Sequence, residues 1–166
     1  KTICGILVPD REFMDPYSRV AGADGQLRFG RNQRLGFRAV SSAHRDSEGV
    51  GRSGGMLDIG YRKEGRTFSY SVMHFELSPN FRTDTGFVRR YDERLTGGNA
   101  SYRWWPQGRI INWGPRINYQ RNYTFAGRLQ DRTFGTGVEF QFARSIFLNA
   151  NVNRDMERYL DVDFEK

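Results

Sequence analysis

Residues 144–155 read RSIFLNANVNRD, and in them Ile146, Leu148, Ala150 and Val152 alternate with Phe147, Asn149, Asn151 and Asn153. An apolar period of two marks a β-strand with one dry face and one wet face, because successive side chains on a strand point to opposite sides. The pattern leaves two families of fold open. A soluble sheet protein turns the apolar face into its core, whereas a membrane barrel turns it to lipid and lines its lumen with the asparagines.

The same alternation recurs along the chain. It predicts strands near 21–29 (Leu27 and Phe29 against Asp24, Gln26 and Arg28), 34–43 (Leu35, Phe37 and Ala39 against Arg34 and Arg38) and 56–63 (Leu57, Ile59 and Tyr61 against Asp58 and Arg62). Further strands are predicted near 66–76, 99–105, 110–120 and 134–142, with 145–153 the last clear one; 2–9 is uniformly apolar and fits least well. No helical period runs over a useful length. The expected fold is an all-β, antiparallel up-and-down meander of about eight or nine strands in one domain, a β-barrel or a segment of a larger outer-membrane barrel.

Composition supports closed antiparallel sheet rather than a helical bundle. Aromatic residues make up 14% of the 166, and 19 glycines stand against 5 prolines. Mean hydropathy is −0.71. No stretch approaches the ~20 apolar residues of a membrane helix, a test that says nothing of a barrel. The net charge of +7 is carried almost wholly by arginine, with lysine only at Lys1, Lys63 and Lys166. Arginine makes forked pairs with carboxylates and phosphates that lysine cannot. Cys4 is the single cysteine, so an internal disulfide is impossible, and it reads as a small buried apolar residue.

Connections discriminate further. GRNQ at 30–33, KEGR at 63–66, PQG at 106–108 and ARS at 143–145 read as tight hairpin turns. Residues 44–53, 78–98 and 121–131 read as long polar loops, placing short turns at one end of the meander and long loops at the other, as in outer-membrane barrels. Phe29, Tyr61, Trp104 and Phe142 fall on the apolar face just before tight turns, where a membrane barrel carries its interfacial aromatic girdle. Strands of about nine to eleven residues are long enough to cross hydrocarbon when tilted. A soluble lipocalin-like barrel with a small ligand in its mouth accounts for the alternation equally well and for the loop asymmetry less well.

LSPNFRTDTGFVRRYDER at 77–94, followed by YRWWP at 102–106, resembles the C-terminal barrel-like domain of a family of uncharacterised bacterial outer-membrane proteins. Ser78, Pro79, Phe81, Gly86, Phe87, Arg89 and Arg90 carry the match, and GILVPDRE at 5–12 and RVAGADGQLRFG at 19–30 extend it. The resemblance implies a bacterial outer-membrane location and a carbohydrate-binding family 9-like module N-terminal to the barrel in the full-length protein. Such a module is missing from this sequence, and LDVDFEK at the end lacks the aromatic terminus of a finished barrel; both departures fit a segment of a larger barrel.

On the polar face, Arg28, Arg38, Arg62, Arg103 and Arg116 share space with Asp58 and Glu139, and Asn149 and Asn151 with the last strand. One reading is a net-positive lumen favouring anionic or polyhydroxylated solutes, glycans among them. The other is a plug of salt bridges filling a narrow barrel. In the longest loop, Arg82, Arg89, Arg90, Phe87 and Tyr91 are candidates for capturing a glycan or anionic partner, or else for folding over the barrel mouth.

Catalytic and metal signals are weak. His44 and His74 lack a matched nucleophile, and Asp161, Asp163 and Glu165 lack the glycine and loop of an EF-hand. The expectation is a non-enzymatic surface or transport component with no cofactor and no metal, its partner being outer-membrane lipid. Nucleic acid is not expected, since the arginines alternate with apolar residues and form no basic stripe.

Overall fold

A computed structural model describes residues 2–8, 10–12, 17–46, 48–82, 90–159 and 162–165. They form one sheet of eleven strands: β1 (Thr2–Leu7), β2 (Asp10–Glu12), β3 (Tyr17–Phe29), β4 (Gln33–Arg45), β5 (Gly51–Lys63), β6 (Phe68–Leu77), β7 (Glu93–Tyr102), β8 (Ile110–Tyr123), β9 (Leu129–Phe142), β10 (Ile146–Tyr159) and β11 (Val162–Glu165). Each strand from β3 onward pairs antiparallel with the next in the chain, which is the expected meander. β1 and β2 hold a single register against β3, from Thr2–Leu27 through Leu7–Gly22 to Asp10–Arg19, and so act as one interrupted strand. Among the described residues the sheet is open: β1 and β2 at one edge meet neither β10 nor β11 at the other.

Most strands are longer than the alternation predicts, at 13 residues in β3, β4 and β5 and 14 in β8, β9 and β10. The extra residues lie at one end, where both faces are polar and a period of two leaves no mark. About half of two of the three expected long loops is therefore strand: β4 and β5 pair up to Arg45–Gly51, and β8 and β9 up to Tyr123–Leu129. Only the connection between β6 and β7, from 78 to 92, is long. β7 begins at Glu93, well before its expected start, because Gly97 and Gly98 interrupt the apolar pattern without interrupting the pairing.

Turn chemistry follows the backbone. Gly30 (φ 57°), Gly108 (φ 124°) and Gly127 (φ 80°) supply left-handed positions in three connections. The 143–145 turn has no glycine, and Arg144 and Ser145 adopt φ 63° and 59° there. Pro115, which has no N–H to donate, falls between the Ser101–Arg116 pair and the Trp104–Trp113 bridge that resumes the same register.

Register sorts the side chains cleanly. Leu27, Leu35, Tyr61, Val72 and Tyr119 share the apolar face, as do Trp113, Phe140 and Leu148. Much of that face is open: Val152 is 72% exposed, Ile146 58% and Leu148 57%, while Met156 on the same face is buried. Cys4, expected to be buried, is exposed as well, since β1 is an edge strand with nothing packed over it. The total exposed area is 12051 Å², against roughly 8,500 Å² for a compact monomer of this mass. Among the described residues Leu77, Phe81 and Met156 are the buried hydrophobics, and Leu77 lies across from Met56 on the polar face.

Candidate functional site

The polar face gathers the charged groups, because each hairpin places residues equidistant from its turn side by side. The 30–32 turn sets Arg28 opposite Arg34, and the next strand sets Arg34 opposite Arg62. Three arginines thus stand abreast on adjacent strands about 4.8 Å apart, an arrangement that costs free energy unless an opposite charge intervenes. The available relief is modest: Arg62 Nη1 meets Glu64 Oε1 at 3.4 Å, with both groups exposed, and Arg28 Nε donates to Gln26 Oε1 at 3.3 Å. The row continues as Ser71, Asn99 and Asn118, where Asn99 Nδ2 donates to Ser71 Oγ at 2.8 Å. Cationic forks therefore give way along one line to neutral groups that both donate and accept.

A polar recess of 480 Å³ lies at this row, with Arg62, Ser69, Ser71, Asn99, Ser101 and Arg103 in its walls. Arg103 also lines a neighbouring recess of 340 Å³ with Asn112, Glu139, Gln141 and Asn149. Between strands, Arg116 Nη1 donates to Glu139 Oε1 at 2.7 Å and Asn112 Nδ2 to Gln141 Oε1 at 2.6 Å. Two rows along from Arg34, past Gln26, Gly36 and Gly60, Arg38 stands directly between Asp24 and Asp58 in register.

All the lumen candidates read from the sequence within strands fall on this one face: Arg28, Arg38, Asp58, Arg62, Arg116, Glu139, Asn149 and Asn151. Arg116 and Glu139 form an ion pair through one contact, while Arg28, Arg34 and Arg62 leave an excess of positive charge. Arg34 was not among the expected site residues: a turn read as GRNQ, 30–33, sets Arg28 opposite Leu35, and only the observed pairing of Phe29 with Gln33 sets it opposite Arg34.

At the long-loop end the 78–82 segment lies on the polar face. Ser78 Oγ accepts from Gly55 N at 2.8 Å, Arg82 N donates to Ser42 Oγ at 3.1 Å, and Phe81 is 6% exposed. Gly54 is required here, since any β-carbon would occupy the space of the Phe81 backbone. Further along, Arg90 Nη1 meets Asp131 Oδ2 at 2.9 Å, and buried Asn122 donates to Asp131 and Glu93 at 3.1 and 3.2 Å. Asn122 and Asp131 escaped the sequence reading because both lay in an expected loop. Tyr91 is exposed. Arg89 and Phe87, with Gly86, lie outside the described residues, as does Asp161.

The apolar face has its own order. Aromatic rings run across it near the tight turns: Tyr102–Trp104 at 4.8 Å, Trp104–Trp113 at 4.5 Å, Trp113–Phe140 at 5.6 Å and Phe140–Phe142 at 6.1 Å between centroids. His74 belongs to this face, with Nδ1 at 2.8 Å from Thr96 Oγ1 and Nε2 at 3.0 Å from Glu76 Oε1. His44 pairs in register with Arg52 on the opposite face, so the two histidines do not share a site. Comparison with family models, curated proteins and solved structures finds no match to this chain.

Proposed function

We propose that this chain is part of a bacterial outer-membrane β-barrel that acts without catalysis, taking up or passing anionic and polyhydroxylated solutes along its polar face. The observation that carries the reading is which face the chain covers. Its own long connection seats Phe81 over Gly54 and hydrogen-bonds Arg82 N to Ser42 on the polar face, while Ile146, Leu148 and Val152 stand open on the other. In water that open face would carry a penalty of about 25 cal/mol for each Å² of apolar surface, and lipid removes it.

Two further features agree. The aromatic row supports the reading, since Trp and Tyr favour the level of a membrane interface. Strands of 13 and 14 residues exceed the ~9–11 needed to span hydrocarbon, leaving polar ends to project beyond it. Within lipid the two open edges require further strands, because unpaired backbone groups cost several kcal/mol each. The glycan assignment follows the resemblance of 77–94 and 102–106, with the sugar-binding module it implies, and the mixture of arginine forks and amides suits hydroxyl-rich anions.

Fluorescence quenching tests the orientation. The intact protein is folded into phosphatidylcholine vesicles whose acyl chains carry bromine, and emission from Trp104, Trp105 and Trp113 is followed. Strong quenching by bromine near the headgroup is expected. Unquenched tryptophan, with a protein that stays in solution without detergent, would overturn the proposal in favour of a soluble barrel.

A further inference from the structure

The apolar face is not uniform. It carries a groove of 820 Å³ floored by β7, where Gly98 and Ala100 leave the sheet low, and walled by Tyr61, Tyr70 and Val72 on one side and Ile117 and Tyr119 on the other. Its upper end is polar. Thr96, a lining residue, pairs in register with Arg121, and Arg121 stands directly opposite Arg132 on the same face. Both arginines are exposed. The guanidinium of Arg121 lies 5.7 Å from the Tyr123 ring, and among the described residues no carboxylate pairs with Arg121 or Arg132.

On the β6 side, the acid of this face is already engaged. Glu76 accepts from Arg94 Nε at 3.2 Å and contacts His74 at 3.0 Å, and Arg94 itself lies 4.6 Å from the Phe125 ring. Two like charges directly opposite on a sheet repel, and a shared anion between them turns that repulsion into two forked contacts. A phosphate offers the oxygens and charge for both. An apolar trench leading away from such a phosphate matches the chain of a lipid.

Resting on the reading that this face meets lipid, we infer that the groove is a lipid site: an acyl chain lies along Gly98 and Ala100, and its headgroup phosphate monoester sits between Arg121 and Arg132. Neighbouring lipids exchange freely around the barrel; this one is held by both ends.

The test uses the intact protein in phosphatidylcholine vesicles containing a small share of spin-labelled phosphatidic acid, with electron spin resonance reading the immobilised fraction. Phosphatidic acid is expected to be favoured over equally labelled phosphatidylcholine by about tenfold, the equivalent of about 1.4 kcal/mol. The double variant Arg121→Gln/Arg132→Gln removes the preference, and Ala100→Leu, which fills the floor without disturbing the backbone, reduces immobilisation of both lipids. Excess inorganic phosphate leaves the signal unchanged.

Equal preference in the double variant and the native protein would overturn the site, as would displacement by inorganic phosphate, which would mark the arginines as a simple anion site. Should the double variant fail to insert, undiminished immobilisation in Ala100→Leu overturns the groove by itself. Tryptophan quenching by brominated lipid separates the two failures. With quenching intact only the groove assignment falls; with quenching absent the membrane reading falls and the groove with it.

Discussion

Gly54 and Phe81 occupy one place on the polar face: the backbone of Phe81 fills the volume that a side chain at 54 would need. Strand β5 therefore seats the start of the long connection by having nothing at that position. Gly54→Val is expected to expel residues 78–82 and expose Phe81, giving faster proteolytic cleavage between β6 and β7. Phe81→Ala, which keeps the seat but removes the ring, is expected to cost about 3 kcal/mol in denaturant unfolding. Cleavage at the native rate in Gly54→Val would show that the segment is held by something else.

The Arg28, Arg34 and Arg62 row sets anion binding against stability. Arg34→Gln removes the middle charge, and a gain of about 0.5 kcal/mol in unfolding free energy is expected from relieved repulsion. The same variant should bind a polysulfated oligosaccharide about threefold or more weakly in a fluorescence titration, since a neutral amide replaces a charged fork. A variant that is less stable and binds equally well would remove the row from the proposed site.

Glu139 works in the other direction. Its contact with Arg116 is 2.7 Å long and both groups are 41% exposed, so the pair contributes only about 0.5 kcal/mol or less. Glu139→Gln frees one positive charge beside the 340 Å³ recess. Stability should hardly change while affinity for the same oligosaccharide rises about twofold or more, in line with the added positive potential. Weaker binding would mean that Glu139 itself holds the solute through its hydroxyls.

The 143–145 turn carries a strain that one substitution relieves. Arg144 sits at φ 63°, a region that costs a side-chain-bearing residue about 1 kcal/mol. Arg144→Gly is expected to recover roughly that amount, read as a higher unfolding midpoint, with no change in solute binding because the turn lies outside both recesses. An unchanged or lower midpoint would place a compensating contact on the Arg144 side chain.

Much of this molecule is written in its period of two. The alternation of Ile146, Leu148, Ala150 and Val152 with Asn149, Asn151 and Asn153 specifies a strand, and the same rule assigned Arg28, Arg38, Asp58, Arg62, Arg116 and Glu139 to one face. Alternation needs no partner to be read, because it arises from the geometry of a single extended chain. It falls silent where both faces are polar. There the strand ends at 44–45, 51–53, 121–123 and 129–131 passed for loop, and Asn122 with Asp131 passed unnoticed.

What the chain determined alone was element type and side, residue by residue, since both are local consequences of backbone geometry and hydrophobic pattern. What tertiary structure decided was adjacency. Only the pairing of strands put Arg34 between Arg28 and Arg62, Arg121 opposite Arg132, and Phe81 over Gly54. Register is set by cross-strand hydrogen bonds and by the fit of turns and side chains between neighbours, and those exist only after distant parts of the chain have met.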